Sequence, residues 1–321
     1  MSKIIATVLC RLDSWSLPLA LRSALEWCDE IVVGIHEPGG KVVDPCWNVI
    51  ASLTKSTEVA NRIDVVALGN ETWDEMEMRQ KLLDRARELG ATHVAIVDAD
   101  EAVTADLCGE SIRKAVLALS PGNALDVPMV SPHHGGSPIG SCLHKARTDG
   151  VFFRAKITLA FADAPNLAWK NASDGYCYHN RPPRGIQNRI ELACEPMSGV
   201  FHLQYADLRR LACKAAYYKI IERIKFPDRE ESSPAALNRK YDWTLEDDGE
   251  TYAEIPPGRW LYPFGAGTDF VDLHEVPWQA WAVVVLVERH KGTPVLDGLV
   301  LHEWSWESLV NDPRPSYAST F

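Results

Sequence analysis

Asp98 and Asp100 stand two residues apart at the end of the run THVAIVDADEAVT (92–104), and of all the acidic pairs in this chain they are the best placed to do chemistry. The short run His93 to Val97 reads as a buried strand that breaks directly into Asp98, Asp100 and Glu101. A strand ending in carboxylates puts charge at its C-terminal edge, where open α/β sheets hold their ligands. In extended chain, side chains two apart point the same way, so the two carboxylates can share one divalent cation. Such oxygen ligands suit magnesium or manganese, above all when substrate phosphates complete the shell. A plain acidic turn is the competing account of these three letters.

Two further groups belong to the same question. His202 closes a short apolar strand, 198–203, directly before a long helix. An imidazole added to a carboxylate and phosphate shell tilts the choice toward manganese; a satisfied strand-end histidine is the alternative. Lys214 and Tyr218 lie one turn apart on that helix and face the same side, where they can meet phosphate or acceptor. Tyr218 suits the core equally well.

The elements that must position these groups are legible in the first hundred residues. Ile4 to Cys10 is apolar and rich in β-branched residues, a buried strand that ends in Arg11, Leu12 and Asp13. Pro18 opens a helix with the stripe Leu17, Leu21, Ala24 and Leu25. Glu30 to Ile35 makes a second strand running into His36 and Glu37; a short helix is expected around 49–53 and a third strand over 63–68. Asp74 with Glu77 fits a capping box, and Trp73 with Met78 a hydrophobic staple. The helix they start carries Arg79 and Gln80, shows the stripe Leu82, Leu83, Ala86 and Leu89, and meets a C-cap glycine at Gly90. Strand and helix thus alternate, which predicts a parallel sheet with its polar strand ends on one edge.

Beyond Thr104 the expected elements are a helix over 111–119, a strand over 124–130 and extended chain over 151–161. The stretch 163–196 is irregular, polar and aromatic. Asp207 caps a long helix that Pro227 stops. The remainder is rich in Trp, Pro and Gly, with one strand expected over 282–288.

Composition narrows the class. With 321 residues, 46% hydrophobic and 24% charged, the chain can bury a large core. A formal net charge of −11 argues against non-specific nucleic-acid binding, though a local patch over Arg181 to Arg189 could still hold it as an acceptor. Eight cysteines occur singly with no CxxC, which points to reduced thiols. Neither a signal peptide nor an 18-residue apolar run is evident, so a cytoplasmic protein with no membrane span is expected.

Other chemistries fail on spacing. No GxGxxG, GxxxxGK[ST] or GxSxG occurs. His36, His274 and His302 begin like HExxH, but four residues later stand Gly40, Trp278 and Trp306. Pro45-Cys46 lacks a deaminase's second cysteine. His133, His134 and His144 sit in a loop with no cysteine pair or fixed scaffold for zinc. Arg181 and Arg184, with His179, lie in a Pro-flanked loop that either closes over the site or is plain surface.

Taken in order, CRLDS after the first strand, CDEIVVGIHEPG, EMRQKLLDRARELGATHVAIVDADEAVT and GVFHLQYADLRRLACKAAYYK carry a resemblance to a known family. The chain resembles the GT-A fold glycosyltransferases, specifically the family 2-like enzymes of bacterial and phage type, well over 3–110 and moderately over 198–225. The resemblance implies an α/β, GT-A-like open and mainly parallel sheet flanked by helices, with an irregular Trp- and Pro-rich C-terminal extension. It implies a catalytic domain over 1–226 and an extension over 227–321 that packs on it or binds acceptor. DAD then resembles the DxD motif. Asp100 would be the direct ligand of Mn2+ or Mg2+, His202 a further contact, and Asp98 would hold ribose or reach the metal through water. Arg11, Asp13 and Glu37 would line the nucleotide pocket, with Arg79 and Lys214 also toward the donor. Where the family has an Arg-Asn-Glu run, this chain has Arg11, Leu12 and Asp13.

The implied activity is transfer of a sugar from a nucleotide-diphosphate sugar to a hydroxyl acceptor (glycan, lipid-linked sugar, protein or modified base), with inversion. A nucleotidyltransferase on the same sheet is the first alternative, and a non-catalytic carbohydrate-binding protein the second. An inverting enzyme needs a carboxylate base on the acceptor side. With Asp98 and Asp100 committed to the cation and Glu101 turned away, Asp163, Asp174, Glu191 and Glu195 remain. Asp174 is preferred, beside Gly175 in an aromatic loop, with Glu191 and Glu195 next.

Overall fold

A computed structural model of the chain describes residues 2–36, 45–69, 74–134, 142–148, 155–169, 181–241, 251–302, 306–307 and 310. The N-terminal half runs β1 (Ile4–Cys10), α1 (Leu17–Leu25), β2 (Glu30–Ile35), α2 (Cys46–Leu53), α3 (Thr57–Ala60), β3 (Ile63–Ala67), α4 (Glu75–Glu88) and β4 (His93–Asp98). Next come β5 (Glu101–Val103), α5 (Glu110–Leu117), β6 (Asn123–Val130), β7 (Lys145–Arg147), β8 (Lys156–Ala162), β9 (Asn188–Glu191) and β10 (Val200–His202). The chain continues through α6 (Leu208–Lys225), α7 (Pro234–Lys240), β11 (Tyr252–Glu254), β12 (Leu261–Tyr262), β13 (Gly265–Ala266) and α8 (Trp278–His290).

The fold is mixed α/β, built on one mostly parallel sheet in the order β3-β2-β1-β4-β8-β6-β10-β5, with β9 beside β6. The first four strands pair in parallel because each crossover carries helix or loop back across a face. Every residue of β1 is buried, as a central parallel strand covered on both faces must be. One face packs Ile4, Ala6, Val8 and Cys10 against α1, and the other packs Ile5 and Leu9 against α4. Gly34 lets α4 approach: a Cβ there would meet Leu82 Cδ2 at 2.7 Å and Leu68 Cδ1 at 2.8 Å.

Helix α4 starts as its sequence requires. The Asp74 carboxylate accepts from the amides of Met76 and Glu77, both at 3.1 Å, and Gly90 takes a φ of 83° beyond the last turn. Glu77 does not close a capping box; it pairs with Lys81 at 2.7 Å. Trp73, the other half of the expected staple, lies outside the described residues.

The C-terminal region corrects one expectation. Residues 282–288 are helical, inside α8, although AVVVLVE is rich in β-branched residues. Packing outweighs propensity here. Trp278, Ala282, Val283 and Leu286 form a buried cluster with Cys213, Ala216, Tyr217 and Ile220 of α6 and with Leu12. Trp260, Trp278, Trp281 and Trp306 are all buried. Among the described residues, no helix is long and apolar enough to cross a membrane.

Candidate active site

Three chain segments meet at the C-terminal edge of the sheet: the turn after β1, the turn after β4 and the end of β10. In β4 the strand stops at Asp98, and Ala99–Asp100 form a turn before β5. The two-residue alternation that would aim both carboxylates one way is broken there. Asp98 turns toward arginine: its Oδ1 accepts from Arg79 Nη2 at 2.7 Å and its Oδ2 from Arg181 Nη1 at 3.1 Å. Asp100 turns toward β10, where its Oδ2 lies 3.7 Å from His202 Nε2.

Backbone pairing fixes that second contact. His202 pairs with Glu101 in the antiparallel β10–β5 ladder, and the Leu203 amide donates to the Asp100 carbonyl at 2.9 Å. Both side chains keep partial access, at 18% for His202 and 17% for Asp100. A gap of 3.7 Å is too long for a hydrogen bond. Nothing else bonds the His202 ring nitrogens among the described residues, and Nδ1 is buried without a partner. Two ligands each about 2.1 Å from one ion can span such a gap, so the pair fits a divalent cation. Among the described residues, no three His, Cys, Asp or Glu side chains gather to hold an ion. Of the Asp98, Asp100 and His202 trio read from the sequence, Asp100 faces His202 directly while Asp98 is engaged by its two arginines, with His202 also acting on its charge.

Asp98 is nonetheless anionic. Burial raises its carboxyl, but the Arg79 and Arg181 guanidiniums overcome burial and hold it well below the usual carboxylate range. At 33% exposure, it keeps lone pairs open for a further donor. Arg79 is itself buried and also pairs with Glu75 at 2.8 Å, one turn back along α4. The sequence marks Arg79 but not Glu75, although their i,i+4 spacing on a helix was a usable signal. Glu101 does not face the edge. It is 3% exposed, and its Oε2 accepts from the Asp98 amide at 3.0 Å.

Lys214 comes from the second turn of α6, whose start Asp207 caps by accepting from the Arg210 amide at 2.9 Å. Its ammonium donates to Gln204 Oε1 at 2.8 Å. Burial works against the charge, but Tyr218, Asp100, Asp13 and Tyr205 outweigh it and push the group up to about 12. The ammonium therefore stays charged throughout the neutral range, close to the carboxylate that pairs with His202.

The turn after β1 is shaped by Leu12, which takes a φ of 57° and buries its side chain among α6 and α8. That strained residue sits between Arg11 and Asp13. Asp13 Oδ2 accepts from the Arg11 amide at 3.0 Å, and the Arg11 guanidinium lies 4.6 Å from the Trp278 ring centroid. Ser14 donates to both Glu275 oxygens, at 2.9 and 3.0 Å, so the C-terminal segment buttresses this turn. Neither Trp278 nor Glu275 carried a sequence signal for this role, since both contacts span more than 250 residues.

The other expected residues lie elsewhere. Glu37 and Asp174 are outside the described residues. Glu191 is exposed on β9, bonded to Lys156 and in register with Asp126 of β6. That is four residues of β6, about 13 Å, short of Val130, where β10 pairs. Glu195 is exposed in the loop before β10. Neither is brought beside Asp100. Asp163 is tied to Arg87 in a two-pronged pair at 2.7 and 2.8 Å, at the opposite end of β4. The chain matches no family model and no curated protein.

Proposed function

We propose that the chain is a metal-dependent glycosyltransferase that takes a sugar from a nucleotide-diphosphate donor and passes it to a hydroxyl acceptor. The observation that carries this reading is the Asp100–His202 pair at the strand edge, with the Lys214 ammonium beside it. A carboxylate, an imidazole and a fixed cation on one edge of a mostly parallel sheet form a site for a diphosphate. Asp100 and His202 would hold Mn2+ or Mg2+, which when bound would supply positive charge for a diphosphate leaving group.

Each protein group then has one task. Lys214 donates to a phosphate oxygen. Asp98, immobilised by two arginines, accepts from a ribose hydroxyl through its open lone pairs. Arg11, held over Trp278, and Asp13 would meet the nucleoside, the role also assigned to Glu37 outside the described residues. Asp174 serves as the base that takes the acceptor's proton. An Asp174→Asn enzyme is expected to keep its nucleotide-sugar affinity and to lose transfer by a factor on the order of 10²–10⁴. Full transfer by that variant would dismiss Asp174.

Lys214→Met tests the reading at the phosphate. Loss of one charge-assisted hydrogen bond is worth about 1.5–3 kcal/mol, so nucleoside diphosphate affinity should fall roughly 10–150-fold. The free nucleoside, lacking phosphate, should bind the variant as it binds the wild type. Equal diphosphate affinity in both proteins would remove Lys214 from the site.

A further inference from the structure

Arg181 uses all five N–H donors of its guanidinium inside the protein. Nε donates to the Thr158 carbonyl at 2.7 Å. Nη1 donates to Asp98 Oδ2 at 3.1 Å and to Glu101 Oε1 at 2.8 Å. Nη2 donates to the Ile96 carbonyl at 2.7 Å and to Glu101 Oε2 at 2.6 Å. The side chain is 14% exposed, so this is no loop arginine waiting for a ligand.

The location explains the count. Strands β4 and β8 pair only over His93–Ala95 and Ala160–Ala162. Beyond that point the strands run on without partnering each other, and the carbonyls of Ile96 and Thr158 would be orphaned. Arg181 fills the opening between them, satisfies both carbonyls and reaches past them to the turn. With Arg79 it sets two guanidiniums against the carboxylates of Glu75, Asp98 and Glu101. Glu101 in turn holds the Asp98 amide. The Asp98–Glu101 turn is thus fastened at both ends to one side chain.

We propose that Arg181 is a positioning residue: by closing the opening between β4 and β8 it presets the Asp98–Glu101 turn, and so the Asp100–His202 pair, to receive a divalent cation. The cation half of this inference rests on the site reading above. Lysine cannot replace the fork, because its donors radiate from a single nitrogen and cannot span two carbonyls and two carboxylates.

The test compares wild type, Arg181→Lys and Asp100→Ala in two measurements on the full chain without substrate: amide hydrogen exchange, and titration with manganese alone. In Arg181→Lys the amides of Asp98 and Leu203 should exchange at least about tenfold faster, while those of Ile31 to Val33 in β2 keep wild-type rates. Manganese affinity should fall about 10–100-fold, as for loss of a group that orients a ligand. Wild-type exchange at both turn amides, or wild-type manganese affinity, would overturn the proposal. If Arg181→Lys fails to fold, the double variant Arg181→Met with Glu101→Gln removes the unmatched buried charge. That protein should fold and still bind manganese weakly, and wild-type affinity in it would equally overturn the proposal. Should wild type bind manganese no better than Asp100→Ala, the site reading falls and the cation half with it, while the exchange rates still decide the turn.

Discussion

Asp100→Ala is expected to lower manganese-dependent turnover of a nucleotide-sugar by a factor on the order of 10³ or more, the scale on which a metal stabilises a leaving group. The fold should survive the change. The carboxylate forms no ion pair with lysine or arginine among the described residues, and the carbonyl that accepts from Leu203 is retained. Thermal stability should therefore stay within about 1 kcal/mol of wild type. Turnover assayed with and without chelator, beside a melting curve, checks both halves. Wild-type turnover in Asp100→Ala would remove Asp100 from the chemistry. A collapsed melting temperature would make it a structural residue instead.

The largest stability effect is expected at Gly199, three residues before His202 and itself without a side chain to do chemistry. Its φ is 153°, in a region that L side chains rarely adopt, and a Cβ there would lie 2.0 Å from the Pro128 carbonyl oxygen. Nothing at that contact can yield cheaply, because the obstacle is backbone of β6. The Gly199 amide also donates to Thr104 Oγ1 at 3.1 Å, and its carbonyl accepts from the Thr104 amide at 2.9 Å. This close approach lets β10 enter between β6 and β5 and carry His202 to the edge. Gly199→Ala should cost on the order of 3–5 kcal/mol and lower the melting temperature by roughly 10 °C. Manganese binding should weaken as well, since β10 must shift. Gly258→Ala is the control: no atom lies within 4 Å of a Cβ there, and its stability should be unchanged. A Gly199→Ala protein melting within about 2 °C of wild type would contradict this account of how β10 is seated.

These two positions mark what the sequence disclosed and what it withheld. The alternation from β1 to β4 was legible because buried parallel strands are apolar runs and α4 announces itself with Asp74 and Gly90. Even the convergence of strand ends on one edge follows from that alternation. Helix α8 was misread because its β-branched run takes its conformation from packing on α6, a contact made across more than sixty residues of chain. The separation of Asp98 from Asp100 was hidden for a different reason. Period-two alternation holds only while a strand lasts, and β4 ends on the first of the pair. Arg181 read as a loop arginine among prolines. Its partners Asp98 and Glu101 lie 83 and 80 residues earlier, and no local pattern encodes such a burial. His202 could be placed at the edge because it ends a short strand, and Lys214 because a capped helix start sets its register.

The central claim is that this edge binds a nucleoside diphosphate through a divalent cation. It is tested most directly by a thermal-shift screen of nucleoside diphosphates and nucleotide-sugars, each with and without manganese, on wild type and His202→Ala. At 100 times the dissociation constant a ligand raises stability by about 2.7 kcal/mol. The account predicts that at least one diphosphate raises the melting temperature of the wild type only when manganese is present, and that His202→Ala loses most of that rise. A rise that is the same with and without manganese, or one that His202→Ala fully retains, would contradict it.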